Sequence, residues 1–227
     1  MRGGIIVSVT CQVKNYKALR KQLEDMKKAP EQVIDRTDSD IVKRGPAWVA
    51  KGVSQRYNIS SREVTSGKIG TLKFKGDKIK RLQLVYGGRI LTPVHFGMRP
   101  KEPKNGSYTL KYKVMRDGEG FKQQVKKLSK KQRAALGKNF TREGSRNSPQ
   151  SPWMLQHTGA KSEDKVQYIP FQRRSQPGKL SFVQKTVALP QMVTEGENGP
   201  MHPEVEKSFN ENLEKRFNHY VQRYMGK

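Results

Sequence analysis

The residues of this chain that could do chemistry in concert are cations. Between Phe121 and Gln150 there are nine Lys or Arg and a single Glu. Lys122, Lys126, Lys127, Lys130, Lys131, Arg133, Lys138 and Arg142 are the candidates for contact with an anionic partner. Ammonium and guanidinium groups at this density can neutralise a phosphate backbone or dock on an acidic protein. The same run also reads as a solvated helix face. The surplus extends to the whole chain, in which 46 Lys and Arg face 20 Asp and Glu, a formal charge of +26. A charge that large calls for nucleic acid, an acidic surface or acidic subunits nearby, or else serves solubility.

Other chemistry finds no constellation. His95, His157, His202 and His219 do not stand at metal-ligand spacing, and the one cysteine, Cys11, cannot build a zinc site. Gly67-Lys68 resembles half of a phosphate-binding loop, but Arg62 stands where the first glycine belongs. Gly118-Glu119-Gly120 lacks the third glycine of a dinucleotide fingerprint. No nucleophile elbow and no carboxylate pair is apparent. The expectation is a protein that is not an enzyme, with no catalytic residue, no metal and no cofactor. A lone cysteine also excludes an internal disulfide and suits a reducing compartment. No apolar run reaches the ~18 residues of a membrane span.

The elements that must position the cations follow from periodicity. Ile5, Val7, Val9, Cys11 and Val13 alternate as a half-buried strand. Tyr16, Leu19, Leu23 and Met26 fall at helical spacing. A second helix is expected over 31–43. Gly45-Pro46 should break it and open a third, with Val49, Val53 and Tyr57 on one face and Trp48 either in the core or an interface anchor. Two strands, 68–74 and 79–86, should meet across Lys75-Gly76-Asp77-Lys78, the second ended by Gly87-Gly88. Pro93, Pro100 and Pro103 mark an extended loop over 92–105. Tyr108, Leu110, Tyr112 and Val114 then alternate with Thr109, Lys111 and Lys113 in a strand with a lysine-bearing face. The basic run reads as a helix begun by Phe121, Val125 and Leu128, followed by a flexible Gly/Ser/Asn-rich loop.

Further on, 166–174 and 179–189 read as a strand pair across Ser175-Gln176-Pro177-Gly178, stopped by Pro190-Gln191-Met192. Pro203 opens a long helix. Val205, Phe209, Leu213, Phe217, Val221 and Tyr224 stripe one face of it, with Glu early and Lys/Arg late, as the helix dipole favours. The expected fold is α+β, an antiparallel sheet packed by N-terminal helices and a long C-terminal helix, with extended basic loops. It is read as one domain over 1–227. A helix-rich N-terminal region covers 1–66, sheet covers 68–115 and 166–189, a basic insert covers 116–152, and the C-terminal helix covers 203–225.

Several of these residues carry a family resemblance. They are Ser151-Pro152-Trp153-Met154-Leu155, the strand ending in Phe171-Gln172-Arg173-Arg174, Val187-Ala188-Leu189-Pro190-Gln191-Met192, and the closing Arg216-Phe217 and Arg223. The chain resembles the tailed-bacteriophage minor tail protein Z family of tail-completion proteins over 31–84 and 151–227. Residues 89–150 depart from that pattern with proline-rich and basic inserts. The resemblance implies a structural virion component, a subunit of a ring at the head–tail junction, assembled in the host cytoplasm. Its partners would be copies of itself and other tail and neck proteins. DNA contact would be non-specific, with no membrane and no small-molecule substrate involved. A stand-alone basic nucleic-acid-binding protein is the alternative. It explains the charge, but the basic strands are poor in the aromatic platforms that single-strand binders use.

Overall fold

The computed structural model describes residues 6–10, 21, 30–76, 83–125, 154–157, 168–172, 182–183, 185–196 and 199–225. The fold is α+β, with antiparallel sheets and a long C-terminal helix. By compactness the chain divides into two units, one of residues 1–90 and 188–227, the other of residues 91–187, and among the described residues the strands form three antiparallel sheets.

The first unit is built on two long helices. Helix α1 runs Pro30–Arg56, and a short α2, Ser61–Thr65, follows it. The side chain of Ser60 caps α2 by accepting from the Glu63 N–H at 3.2 Å. A three-stranded antiparallel sheet has β3, Gln83–Gly88, between β1, Ile6–Thr10, and β2, Gly70–Lys75. Helix α3, Leu189–Val193, lies against β3, and α4, Pro203–Met225, packs along α1.

Three expectations need correction here. Gly45-Pro46 does not break the helix, because α1 continues through Pro46. An interior proline costs about 3 kcal/mol. It is tolerated because one apolar stripe, Val33, Ile41, Val49 and Val53, is buried on both sides of it. Each such side chain contributes about 1.5–3 kcal/mol when buried. Gly45 is needed in its own right, since a Cβ there would stand 2.5 Å from the Phe74 ring. Gly87-Gly88 also lies inside the strand, which ends at Gly88 rather than at Tyr86. Gly88 pairs with Gly70, and a Cβ on Gly70 would lie 2.2 Å from the Gly87 carbonyl oxygen. Two glycines face to face keep this edge thin, and Leu189 of α3 packs over it. Finally, Pro190-Gln191-Met192 lies inside α3 rather than merely stopping a strand.

The C-terminal stripe reads as expected. Val205, Phe209, Leu213 and Phe217 are buried, and Val221 and Tyr224 pack against the Val33–Phe217–Tyr220 cluster. Phe209 stacks on Phe74 at 5.4 Å between ring centroids and tilts against Trp48 at 5.9 Å, so Trp48 is core. The two long helices approach closely at Gly52, where a Cβ would sit 2.5 Å from the Val205 Cα. Ser208 donates to the Trp48 carbonyl there at 2.9 Å.

The second unit holds a hairpin of β4, Tyr108–Tyr112, and β5, Phe121–Val125, and a sheet of β6, Met154–His157, β7, Tyr168–Gln172, and β8, Phe182–Val183. Met98, Leu110, Tyr112 and Val125 form its buried cluster, with Val94, Tyr108 and Val114 around it. Residues 92–105 are not wholly irregular, because Pro93–Phe96 makes a 3-10 turn. The start of the basic run is also corrected. Residues 121–125 are strand, not helix. Phe121 and Val125 are four apart, a spacing that serves one helix face and one strand face equally. The pairing of Phe121 with Tyr112, rings 4.8 Å apart, selects the strand. The first helix of the sequence reading lies outside the described residues apart from Lys21.

Candidate anionic-partner surface

The candidate cations divide sharply. Lys122 is on β5 and exposed, whereas Lys126, Lys127, Lys130, Lys131, Arg133, Lys138 and Arg142 lie outside the described residues. The structure brings two other cations to Lys122. In the hairpin register Lys122 stands directly opposite Lys111. Lys111 in turn makes an isolated antiparallel bridge with Arg99, each donating its N–H to the other's carbonyl at 2.8 Å. Residues directly opposite one another share a face. Arg99, Lys111 and Lys122 therefore form one row across three chain segments, all exposed.

The hydrogen-bond pattern sets how close they come. Lys111 spends both backbone groups on Arg99. Its pair with Lys122 must then be the non-hydrogen-bonded kind, where Cα atoms are about 4.5 Å apart and side chains are closest. Strands are about 4.8 Å apart, so the row is about 10 Å wide. Like charges directly opposite destabilise a sheet. No described residue offers an ion pair to any of the three cations. Their neighbours on this face, Thr109 and Gln124, are paired, neutral and exposed. Lys101 is exposed and Lys113 half-buried close by in sequence.

Alternation puts everything aromatic on the other side. Tyr112 is buried, and Tyr108 is half-buried beside the same cluster, where burial pushes its phenol pKa up. The cationic row itself carries no ring. It can attract and position anionic oxygens, but it offers nothing to stack a base on.

The first unit treats its charges differently. Asp40, buried, accepts from Arg216 Nε at 2.7 Å and from the Tyr220 hydroxyl at 2.9 Å, and Arg44 Nε lies 3.2 Å from its other oxygen. Burial alone would raise its pKa. The hydrogen bonds from Arg216 and Tyr220 and the charges of Arg216 and Arg44 outweigh that and hold the carboxyl below its ordinary value. At the other end of the helix pair Arg56 meets Glu204 at 3.1 Å. His202 is buried with Nε2 3.0 Å from the Gln191 carbonyl, and Tyr57 donates to the same oxygen at 3.2 Å. These groups tie α1, α3 and α4 together. Among the described residues no group of three His, Cys, Asp or Glu could hold a metal. No described helix is long and apolar enough to cross a membrane.

Sequence reasoning had Lys122 and the lysine-bearing face of β4, but did not join them. The alternation Tyr108-Thr109-Leu110-Lys111-Tyr112 was the usable signal for Lys111. Arg99 had none, since its bridge to Lys111 closes over a proline-marked segment.

No family model, curated protein or solved structure matches this chain.

Proposed function

We propose that this protein is a structural, non-catalytic subunit of a tailed-phage virion, a tail-completion or minor tail protein in a ring at the head–tail junction. The observation that carries the polyanion-facing half of this reading is the exposed row Arg99–Lys111–Lys122, held in register and without an ion pair to any described residue. Such a row raises the energy of the free protein and is relieved when an anion arrives. The sequence resemblance directs the reading to the neck of a phage tail, where acidic neighbours or DNA would supply that anion. Residues that bear the resemblance have structural work in this chain: Ala188 bridges to Ile90, Leu189 and Met192 are buried in α3, and Phe217 fills the core of the helix pair.

A stand-alone nucleic-acid-binding protein is the second reading, favoured by the same row, which needs no assembly to meet a phosphate backbone. Peptide mass spectrometry of purified phage particles separates the two. The virion reading expects the protein in particles at a constant copy number, with symmetry-related copies between connector and tail tube on imaging. Recovery from the cytosolic fraction alone, never from particles, would contradict it.

A further inference from the structure

We infer that the Arg99–Lys111–Lys122 face docks on the phosphate backbone of duplex DNA, without reading bases. The inference deepens the proposed function and rests on its polyanion-facing half.

Three observations select this partner. The first is charge density. Three cations fall within about 10 Å, and the duplex offers one negative charge per about 1.7 Å of axis. A duplex presents several phosphates to a patch of this width whatever its sequence. The second is rigidity. Lys111 and Lys122 sit on paired strands, Arg99 is tied to Lys111 by two backbone hydrogen bonds at 2.8 Å, and the reverse face is anchored by buried Met98, Leu110, Tyr112 and Val125. A patch held this way loses little backbone freedom on binding, so binding costs it little. The third is what the face lacks. The hairpin's aromatic residues, Tyr108, Tyr112 and Phe121, all alternate to the opposite side. A single strand gains much of its affinity from stacking bases on such rings, whereas a duplex hides its bases and presents phosphate. Thr109 and Gln124, paired beside the row, can donate to phosphate oxygens as neutral partners.

The test uses the full chain and a short mixed-sequence duplex, with binding followed by fluorescence anisotropy over a range of salt. The variant Arg99→Glu/Lys111→Glu/Lys122→Glu is compared with Lys43→Glu/Lys207→Glu/Lys215→Glu. The second set makes the same charge change at exposed helix positions of the other unit. The face variant should bind at least about tenfold more weakly, and its salt slope should fall by about 2.7, three phosphates at about 0.9 each. The control should lose less than about threefold. If the reversal prevents folding, the neutral set Arg99→Gln/Lys111→Gln/Lys122→Gln takes its place, with the same slope change expected. Equal loss in face and control variants would overturn the inference, leaving only diffuse attraction by net charge. Preference for a matched single strand, or for polyglutamate over duplex, would overturn it in favour of a different occupant. None of these outcomes bears on whether the protein is found in particles, so the two readings fail separately.

Discussion

The two units handle charge in opposite ways. In the first, the carboxylate that burial would penalise is met by two arginines and a tyrosine, and Arg56 and Glu204 close the other end of the helix pair. In the second, three cations are lined up across paired backbone without an ion pair to any described residue. A buried charge without a partner costs several kcal/mol, so the fold must satisfy it internally. Exposed like charges cost only tenths of a kcal/mol, so a fold can carry them and keep them for something outside the chain. Charge in the first unit holds the fold together, and the Arg99–Lys111–Lys122 row of the second has no ion pair with a described residue.

The largest expected effect tests the first half of this contrast. Phe217→Ala removes a side chain that is 2% exposed and central to the Val33–Tyr220 cluster. It should cost about 3–5 kcal/mol in chemical denaturation. A loss under about 1 kcal/mol would mean that the helix pair is not what holds the unit together.

Arg216→Ala comes next. It removes a charged hydrogen bond to Asp40 and should cost about 1.5–3 kcal/mol at neutral pH. Because the folded carboxyl titrates below its unfolded value, its contribution is complete above about pH 4 and is lost as pH falls through the folded value. The wild type should therefore lose stability more steeply than Arg216→Ala as pH drops below about 4. Parallel acid profiles for the two proteins would break the assignment.

Ser60→Ala is a smaller probe of the same unit. Losing the cap on the Glu63 N–H should cost about 1 kcal/mol, read as a modest drop in the denaturation midpoint.

The smallest effect has the opposite sign and tests the second half of the contrast. Lys111→Glu places a carboxylate between Arg99 and Lys122. It should leave the hairpin unchanged or more stable by about 0.2–1 kcal/mol. Destabilisation by more than about 1 kcal/mol would mean that Lys111 has a structural role, and the row would no longer count as uncompensated.

Legibility in the sequence followed the same divide. The C-terminal helix was plain because Val205, Phe209, Leu213 and Phe217 repeat every four residues and bury as a stripe. The alternation of β4 was equally plain. What failed was local punctuation overruled by packing. Pro46 and Gly87-Gly88 look like breaks, but α1 is held by a stripe running past the proline, and β3 uses its glycines for close approach to β2. Phe121 and Val125 fitted two periods, and only the partner strand decides between them. The cationic row was half visible. Lys111 and Lys122 could be found on their own segments, but their juxtaposition depends on hairpin register, and Arg99 arrives by a bridge that no local pattern encodes.

If the cations of the hairpin, rather than net charge at large, meet the polyanion, they should be the ones a duplex covers. Lysine acetylation footprinting of the full chain, with and without duplex DNA, tests this most directly. Duplex should protect Lys111 and Lys122 while Lys43, Lys207 and Lys215 react as in the free protein. Equal protection of both sets, or protection confined to the helix lysines, would contradict it.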